Sequence, residues 1–214
     1  MKCDKKMMLL YAVTDRAWVG KQTLYEQVES ALKGGVTCVQ LREKNQSEEE
    51  FLREALEISS LCKKYNVPFI VNDNVKIAVK CNATGVHVGQ DDCEVSEVRK
   101  LVGDKMIVGV SAHNVEEAKK AVASGADYLG VGAVFSTSTK ADTNVLSFET
   151  VKAISDAVNV PIVAIGGINR DNILKLKGTG VDGAAIVSGI FAAEDIEEEC
   201  KTLRKLSEEM VSPC

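Results

Sequence analysis

The chain contains 214 residues, 45% of them hydrophobic, and it carries a formal net charge of −5 at pH 7. These values fit one compact domain over residues 1–214. The negative balance argues against a nucleic-acid partner and against a basic membrane-binding face, so any cationic site must be local. No stretch approaches the ~20 apolar residues of a membrane-spanning helix, and we therefore expect no membrane partner.

The cysteines lack the paired spacing of a zinc site. They are Cys3, Cys38, Cys62, Cys81, Cys93, Cys200 and Cys214. An odd number in a chain without a secretion signal indicates reduced thiols, and we expect the protein to be cytoplasmic. The apolar run at residues 7–13 is too short to favour a signal peptide, and a first core strand explains it better.

Short β-branched runs alternate with amphipathic segments along the whole chain, a pattern typical of βα units around a parallel sheet. Strands are predicted at residues 9–13, 38–41, 69–71, 85–88, 106–110, 128–131, 162–165 and 184–187. Helices are predicted at residues 23–33, 47–64, 75–80, 94–101, 115–123, 147–157, 170–177 and 195–209. Eight such units, without a GxGxxG or P-loop motif, predict a single-domain (β/α)8 TIM barrel. In that fold the loops after the strands form the active face.

Local signals support these boundaries. Ser47 with Glu50 forms a capping-box pattern, and Asn114, three units further along, is another capping residue followed three positions later by the acid Glu117. Glycines at 34–35, 125 and 178 lie where helices need a left-handed C-terminal residue. The similar phrases at residues 125–128 and 180–183 predict one type of helix-to-strand connection, used twice.

The second predicted strand ends in the alternating polar residues Gln40, Arg42 and Lys44. While the chain stays extended, all three side chains project to one side, with Gln40 pointing into the barrel. Arginine can grip a phosphate through two hydrogen bonds, and lysine adds a compact charge. The alternative is a solvated strand end in which Glu43 neutralises its neighbours.

Carboxylates follow the third and fourth predicted strands. Asn72 and Asp73 could cap the helix at residues 75–80, and Asp91 and Asp92 could cap the next helix. The two loops nevertheless converge on one barrel mouth. Because Mg²⁺ is usually held by one or two carboxylates, waters and phosphate oxygens, Asp73 with Asp91 or Asp92 would suffice as protein ligands.

The fifth predicted strand ends in Ser111, whose hydroxyl can donate to a phosphate or to a reacting nitrogen. His113 follows as a polar rim residue, and His87 is interpreted as a strand residue with a satisfied ring nitrogen. With only two histidines and no nucleophile beside either, a Ser-His-Asp mechanism is not indicated.

The later loops combine hydroxyls and glycines. The loop after the sixth strand contains Thr137, Ser138, Thr139 and Lys140. Gly166-Gly167 follows the seventh strand and Ser188-Gly189 the eighth, where backbone N–H groups form the phosphate site common in (β/α)8 enzymes. The mouth is therefore predicted to hold a cationic, metal-assisted site and an uncharged backbone site.

Taken together and in this order, these motifs resemble the thiamine-phosphate synthase family. The resemblance extends from Tyr11 to Phe191. Its most specific elements are residues 40–44 (Gln-Leu-Arg-Glu-Lys), 71–73 (Val-Asn-Asp), 87–92 (His-Val-Gly-Gln-Asp-Asp), 109–113 (Gly-Val-Ser-Ala-His), 137–140 (Thr-Ser-Thr-Lys) and 165–168 (Ile-Gly-Gly-Ile).

The resemblance implies transfer of a hydroxymethylpyrimidine group from its diphosphate to hydroxyethylthiazole phosphate, with release of diphosphate. It assigns the pyrimidine diphosphate to Gln40, Leu41, Arg42, Glu43, Lys44, Asn72, Ser111 and Lys140, of which Arg42, Lys44, Ser111 and Lys140 are catalytic. It assigns the thiazole phosphate to Thr137, Ser138, Thr139, Gly167, Val187 and Ser188, and one Mg²⁺ per active site to Asp73 and Asp92. A homo-oligomer is left open.

Three positions depart from the family pattern. Ser136 replaces a usual proline, so the φ angle before Thr137 is not fixed by a ring. Thr84 replaces a common aspartate in the connection before the fourth strand, on the barrel face opposite the active site. Asp91 replaces a common glutamate. Three other functions remain alternatives: a thiazole-phosphate tautomerase that uses His113 as a base, a barrel isomerase or epimerase of phosphorylated sugars, and a non-catalytic regulator.

Overall fold

Eight parallel strands close into a barrel in which each strand pairs with the next and β8 pairs with β1. The structure is a computed structural model that describes residues 3–20, 22–89, 94–137 and 145–213. The strands are β1 (Leu10–Val13), β2 (Cys38–Leu41), β3 (Phe69–Asn72), β4 (Gly85–Val88), β5 (Ile107–Ala112), β6 (Tyr128–Gly132), β7 (Ile162–Ile165) and β8 (Gly183–Ile186). The predicted (β/α)8 fold class is confirmed.

Helices surround this barrel, and the first of them places Met8 in the interior core. They are α1 (Lys5–Met8), α2 (Leu24–Lys33), α3 (Glu48–Lys64), α4 (Val75–Lys80), α5 (Val95–Val102), α6 (Val115–Ala123), α7 (Phe148–Ala157), α8 (Ser188–Phe191) and α9 (Ile196–Val211), with 3-10 turns at Arg16–Trp18, Gly103–Lys105 and Ile173–Leu176. Within the described ranges, no helix combines the length and apolar character needed to cross a membrane.

Side chains alternate between two cores, as the period of a strand requires. Tyr11, Ile70 and Tyr128 fill the barrel interior, whereas Leu10 and Leu129 pack between the sheet and the helices. Whether a residue holds an odd or an even position in its strand, its parity, therefore decides whether its side chain can reach the interior and its mouth.

The two predicted capping motifs are confirmed by their hydrogen bonds. Ser47 and Glu50 form a reciprocal capping box before α3, and the side chain of Asn114 accepts from the Glu117 N–H before α6. Helix ends use left-handed glycines, with φ 92° at Gly35 and 103° at Gly125.

The repeated helix-to-strand connection is also confirmed. The carboxylate of Asp127 accepts from the Val108 N–H at 2.9 Å, and that of Asp182 accepts from the Ile162 N–H at 3.0 Å. Thr84 makes the equivalent bond, since its hydroxyl accepts from the Phe69 N–H. These bonds tie adjacent strands at their amino ends, away from the mouth.

One predicted helix is wrong. Residues 170–177 form only the 3-10 turn Ile173–Leu176, because the side chain of Asn172 bonds to its own loop rather than leaving the backbone free to continue a helix. The short helices α1 and α8 were not predicted, since four residues cannot show a helical period. The described cysteines are free thiols, as expected.

Candidate active site

The cations that follow β2 lie against carboxylates from neighbouring loops. Arg42 donates to Asp15 Oδ2 at 2.9 Å, and Lys44 Nζ donates to Asp73 Oδ2 at 2.6 Å. Both pairs are partly exposed, with Lys44 49% exposed. Asp15 was missed by the sequence interpretation, although it follows β1 just as the other site residues follow their strands. The two cations are thus held at the rim by different partners.

The remaining residues of the β2 segment point elsewhere. Leu41 is fully buried between the sheet and the helices. The side chain of Glu43 is 3% exposed and accepts from Arg16, which also pairs with Glu54. Burial raises the Glu43 pKa to about 7, and neighbouring Glu54 adds to the effect while Arg16 opposes it. The structure therefore does not bring the side chains of Leu41 and Glu43 together with Arg42 and Lys44.

Asn72 and Asp73 do not cap α4, because Asn74 does so by accepting from the Ile77 N–H at 3.0 Å. The capping alternative is therefore wrong for both. Asn72 is buried at the end of β3. Asp73 adopts φ 60°, a left-handed conformation that is uncommon for a residue other than glycine and that clusters at functional sites. Its backbone turns there while its carboxylate meets Lys44.

The β4 loop is only partly described. The N-cap of α5 is Glu94, which makes no side-chain capping hydrogen bond. Asp91 and Asp92, the second predicted metal position, lie outside the described residues. Across the described ranges, no cluster of three or more His, Cys, Asp or Glu side chains could hold a metal.

A chain of hydrogen bonds crosses the barrel interior below the mouth. Gln40 Nε2 donates to the Tyr11 hydroxyl at 2.8 Å, and this hydroxyl lies 2.8 Å from that of Tyr128. The Tyr128 hydroxyl meets His87 Nδ1 at 2.9 Å, and His87 Nε2 meets Ser111 Oγ at 3.1 Å. The inward orientation predicted for Gln40 and the satisfied ring predicted for His87 are confirmed.

The sequence analysis did not identify Tyr11 and Tyr128 as members of this hydrogen-bond chain. The sequence does contain a signal for them, because glycines at interior positions of neighbouring strands leave room for a ring. A Cβ on Gly109 would overlap the Tyr128 ring, and one on Gly130 would approach His87 Cε1 to 3.1 Å. Interior glycines beside an interior tyrosine or histidine thus mark polar groups inside a barrel.

The loops after β6 and β7 are joined by backbone contacts. The N–H groups of Val134 and Phe135 donate to Ile165 and Gly166 at 2.9 and 3.1 Å. A Cβ on Gly167 would collide with the Ser136 carbonyl oxygen. The loop before half-buried Thr137 is thus fixed by its neighbour, although Ser136 replaces the usual proline. The predicted residues Ser138, Thr139 and Lys140 lie outside the described part of the chain.

The β7 loop is anchored by side chains that follow it. Asn172 donates to the Gly167 carbonyl at 2.8 Å and accepts from the Asn169 N–H at 2.9 Å. Arg170 then forms a two-point ion pair with Glu199 of α9, whose side chain is 7% exposed. The conformation of Gly167, with φ 64°, is therefore set by contacts on both sides.

The β8 loop lies against the same segment. Val187 precedes α8, and Ser188 is its first residue. A Cβ on Gly189 would lie 2.6 Å from the Ile168 carbonyl oxygen. Gly167, Val187 and Ser188 are therefore carried by two loops in direct contact. His113 lies on the rim, 44% exposed, with Nδ1 2.9 Å from Glu117 Oε2.

The fold and its mouth define a (β/α)8 barrel whose polar loops carry cations, an amide, a hydroxyl and a carboxylate on one side and glycine-rich backbone on the other. Residues 10–190 match the sequence profile of a family described as thiamine monophosphate synthase. The chain belongs to this family.

Curated relatives and solved structures agree with this assignment. The thiamine-phosphate synthase of Clostridioides difficile strain 630 is 54% identical over 91% of this chain and 93% of its own. That of Clostridium tetani is 50% identical over 91% of this chain and 93% of its own. A solved thiamine phosphate pyrophosphorylase from Pyrococcus furiosus superposes with a TM-score of 0.90 at 36% identity, covering 97% of this chain and 99% of that one.

Proposed function

We propose that this protein is a cytoplasmic thiamine-phosphate synthase that joins hydroxymethylpyrimidine diphosphate to hydroxyethylthiazole phosphate and releases diphosphate. The observation that carries the proposal is the position of Lys44, Asp73 and Ser111 at the carboxyl ends of three strands, in a chain about half identical to relatives of that name. An isomerase of a phosphate monoester has no use for this charged set.

The diphosphate site is proposed to lie over β2, β3 and β5. Arg42 and Lys44 supply positive charge, and the Asn72 amide and Ser111 hydroxyl can donate to phosphate oxygens. Lys140 would add a third cation from the β6 loop, and Gln40 would contact the pyrimidine end. Their ion pairs with Asp15 and Asp73 place Arg42 and Lys44 at the barrel mouth.

A single Mg²⁺ is proposed to bind next to this site. Asp73 fits the ion, since its carboxylate is a hard oxygen donor, 26% exposed, at the mouth. Asp92 would provide the second carboxylate. When bound, the ion would supply Lewis-acid stabilisation of the charge that develops on the diphosphate oxygens. Asp73 would then exchange its bond to Lys44 for the metal, and Lys44 would turn to the phosphate.

The reaction is proposed to begin with departure of the leaving group. The bond between the pyrimidine methylene carbon and the diphosphate oxygen breaks, and both electrons leave with the oxygen. Arg42, Lys44 and Lys140 stabilise that negative charge, while the electron-rich aminopyrimidine stabilises the methylene cation. The thiazole nitrogen then forms the new C–N bond. Because this nitrogen becomes quaternary, no proton is removed from it and no general base is required.

The thiazole phosphate is proposed to bind at the joined β6, β7 and β8 loops. Gly167, Val187 and Ser188 would present backbone N–H groups, and Thr137, Ser138 and Thr139 would add hydroxyls. Contact between these loops would place the thiazole beside the diphosphate site, so that positioning replaces a bimolecular encounter.

One assay tests this function against its rivals. The protein is incubated with pyrimidine diphosphate, thiazole phosphate and Mg²⁺, and thiamine phosphate and diphosphate are quantified. We expect the two products in equal amounts, and none after addition of EDTA. Isomerised thiazole phosphate alone would instead favour the tautomerase, and ligand binding without any product would favour the regulator.

A further inference from the structure

The interior hydrogen-bond chain joins two proposed substrate contacts, Gln40 and Ser111, through three residues without an assigned role. Tyr11 is 1% exposed and Tyr128 is fully buried. Burial raises the pKa of each hydroxyl well above its ordinary value, so both tyrosines keep their protons. The two rings are 6.0 Å apart, and the Tyr128 ring is 5.5 Å from that of His87. The two tyrosines are therefore neutral and closely packed in the interior.

The direction of donation follows from the chemistry of its first member. An amide nitrogen can only donate, so the Tyr11 oxygen accepts from Gln40 Nε2. Each tyrosine has a single hydroxyl proton. The thiol of Cys38 also lies against the Tyr11 hydroxyl, but sulfur is a weak acceptor, so the Tyr11 proton goes to the Tyr128 oxygen at 2.8 Å.

The same reasoning extends to the other end. Since the Tyr128 oxygen accepts from Tyr11, its own proton is directed to His87 Nδ1 at 2.9 Å. A neutral imidazole that accepts at Nδ1 carries its proton on Nε2. His87 Nε2 therefore donates to Ser111 Oγ at 3.1 Å, and the hydroxyl proton of Ser111 is directed away from His87.

We propose that Gln40, Tyr11 and Tyr128 form a directional hydrogen-bond chain that fixes His87 as the Nε2–H tautomer and thereby orients the Ser111 hydroxyl as a donor to the diphosphate. Tyr11, Tyr128 and His87 are positioning residues, because they act through Ser111. The direction of these hydrogen bonds follows from contacts in the barrel interior alone, whereas the role of Ser111 rests on the proposed function.

The geometry predicts different effects for the two tyrosines. Tyr128→Phe removes the donor to His87 Nδ1, so the tautomer is no longer fixed. Tyr11→Phe removes one acceptor for Gln40 Nε2. The Gln40 side chain also contacts the Tyr128 hydroxyl, so Tyr128 still accepts from Gln40 and donates to His87. Tyr65→Phe is the matched control, because its hydroxyl donates to Glu29 at 3.2 Å outside the barrel.

The deciding measurement is the histidine tautomer, read from two-bond ¹H–¹⁵N correlation spectra of ¹⁵N-histidine-labelled protein. The sequence has only two histidines, so His113→Gln assigns the signals. We expect the Nε2–H form for His87 in the wild type, Tyr11→Phe and Tyr65→Phe proteins, and a mixture of forms in Tyr128→Phe. An Nδ1–H form in the wild type would reverse the chain and overturn the proposal, whatever the variants do.

Kinetics then test the role of the Ser111 donor. We expect Tyr128→Phe to lower kcat about tenfold and to leave KM for thiazole phosphate unchanged. A tenfold loss is at the lower end of the effects seen when a residue that orients a functional group is replaced. Tyr65→Phe should match the wild type in both. An unchanged kcat in Tyr128→Phe with a disturbed tautomer would refute the link to Ser111. Absence of synthase activity in the wild type would refute the proposed function and leave the tautomer result standing.

Discussion

Lys44 Nζ lies 2.6 Å from Asp73 Oδ2, so a proposed diphosphate contact and a proposed metal ligand meet across the β2 and β3 loops. With 49% and 26% of their side chains exposed, the two groups form a pair of the surface kind, which contributes about 0–1 kcal/mol. Such a pair is easily exchanged. If Mg²⁺ and diphosphate bind as proposed, Asp73 would hold the ion and Lys44 would contact the diphosphate, and breaking their ion pair would cost little free energy.

Asp73→Asn should raise the Mg²⁺ concentration needed for half-maximal activity by about tenfold or more, because an amide oxygen lacks the charge that binds the ion. Initial rates measured against Mg²⁺ concentration at saturating substrates would show the shift. Asp156→Asn is the control, since Asp156 pairs with Lys152 on the outside of α7. An unchanged Mg²⁺ requirement would remove Asp73 from the metal site.

Arg42→Ala should lower kcat about 100-fold with the fold intact, since it removes a cation that stabilises the departing diphosphate. Lys140→Ala should act in the same way. Arg53→Ala serves as the control, because Arg53 lies exposed on α3. Steady-state rates and circular dichroism spectra together would separate lost chemistry from lost structure, and a variant with wild-type turnover would exclude that residue from the mechanism.

The sequence was sufficient for the barrel because strand parity and helix caps are local signals. Within β2 the period of two correctly turned Gln40 inward and Leu41 outward. The same period failed after the strand ended, where Arg42 and Lys44 found separate carboxylates and Glu43 turned to Arg16. Once a chain leaves the extended conformation, spacing no longer determines direction.

The interior hydrogen-bond chain illustrates a second limit of prediction from the sequence. Parity places Tyr11 and Tyr128 inside the barrel, but their hydroxyls meet because Gly109 leaves space for the Tyr128 ring. This contact joins residues 117 positions apart, and no local pattern encodes it. The helix predicted at residues 170–177 failed for a related reason, since the Asn172 side chain is engaged by Gly167.

Gly167→Ala should weaken binding of thiazole phosphate at least tenfold, because a Cβ there collides with the Ser136 carbonyl oxygen and separates the β6 and β7 loops. Gly178→Ala is a close control. Gly178 has a left-handed φ of 84°, similar to the 64° of Gly167. However, no atom lies within 4 Å of a Cβ added at Gly178. Both variants should lose about 1 kcal/mol of stability from backbone strain.

Isothermal titration with thiazole phosphate would distinguish the two glycine variants. Weakened binding confined to Gly167→Ala would locate the phosphate at the joined loops. Equal losses in both would mean that strain alone, rather than loop contact, is responsible, and equal retention would move the thiazole phosphate away from Gly167.

Glu43 predicts a pH dependence of folding stability. Burial raises its pKa from an ordinary value near 4.5 to about 7. Between these values the folded state binds more protons than the unfolded state, so this group's contribution to stability is full below about 4.5 and falls as pH rises through 7. Glu43→Gln should therefore gain on the order of 3 kcal/mol relative to the wild type between pH 4.5 and 8. Urea unfolding at several pH values measures this difference, with Glu57→Gln on the exposed face of α3 as the control. A difference that stays constant with pH, or falls, would mean that Glu43 is ionised in the folded protein throughout.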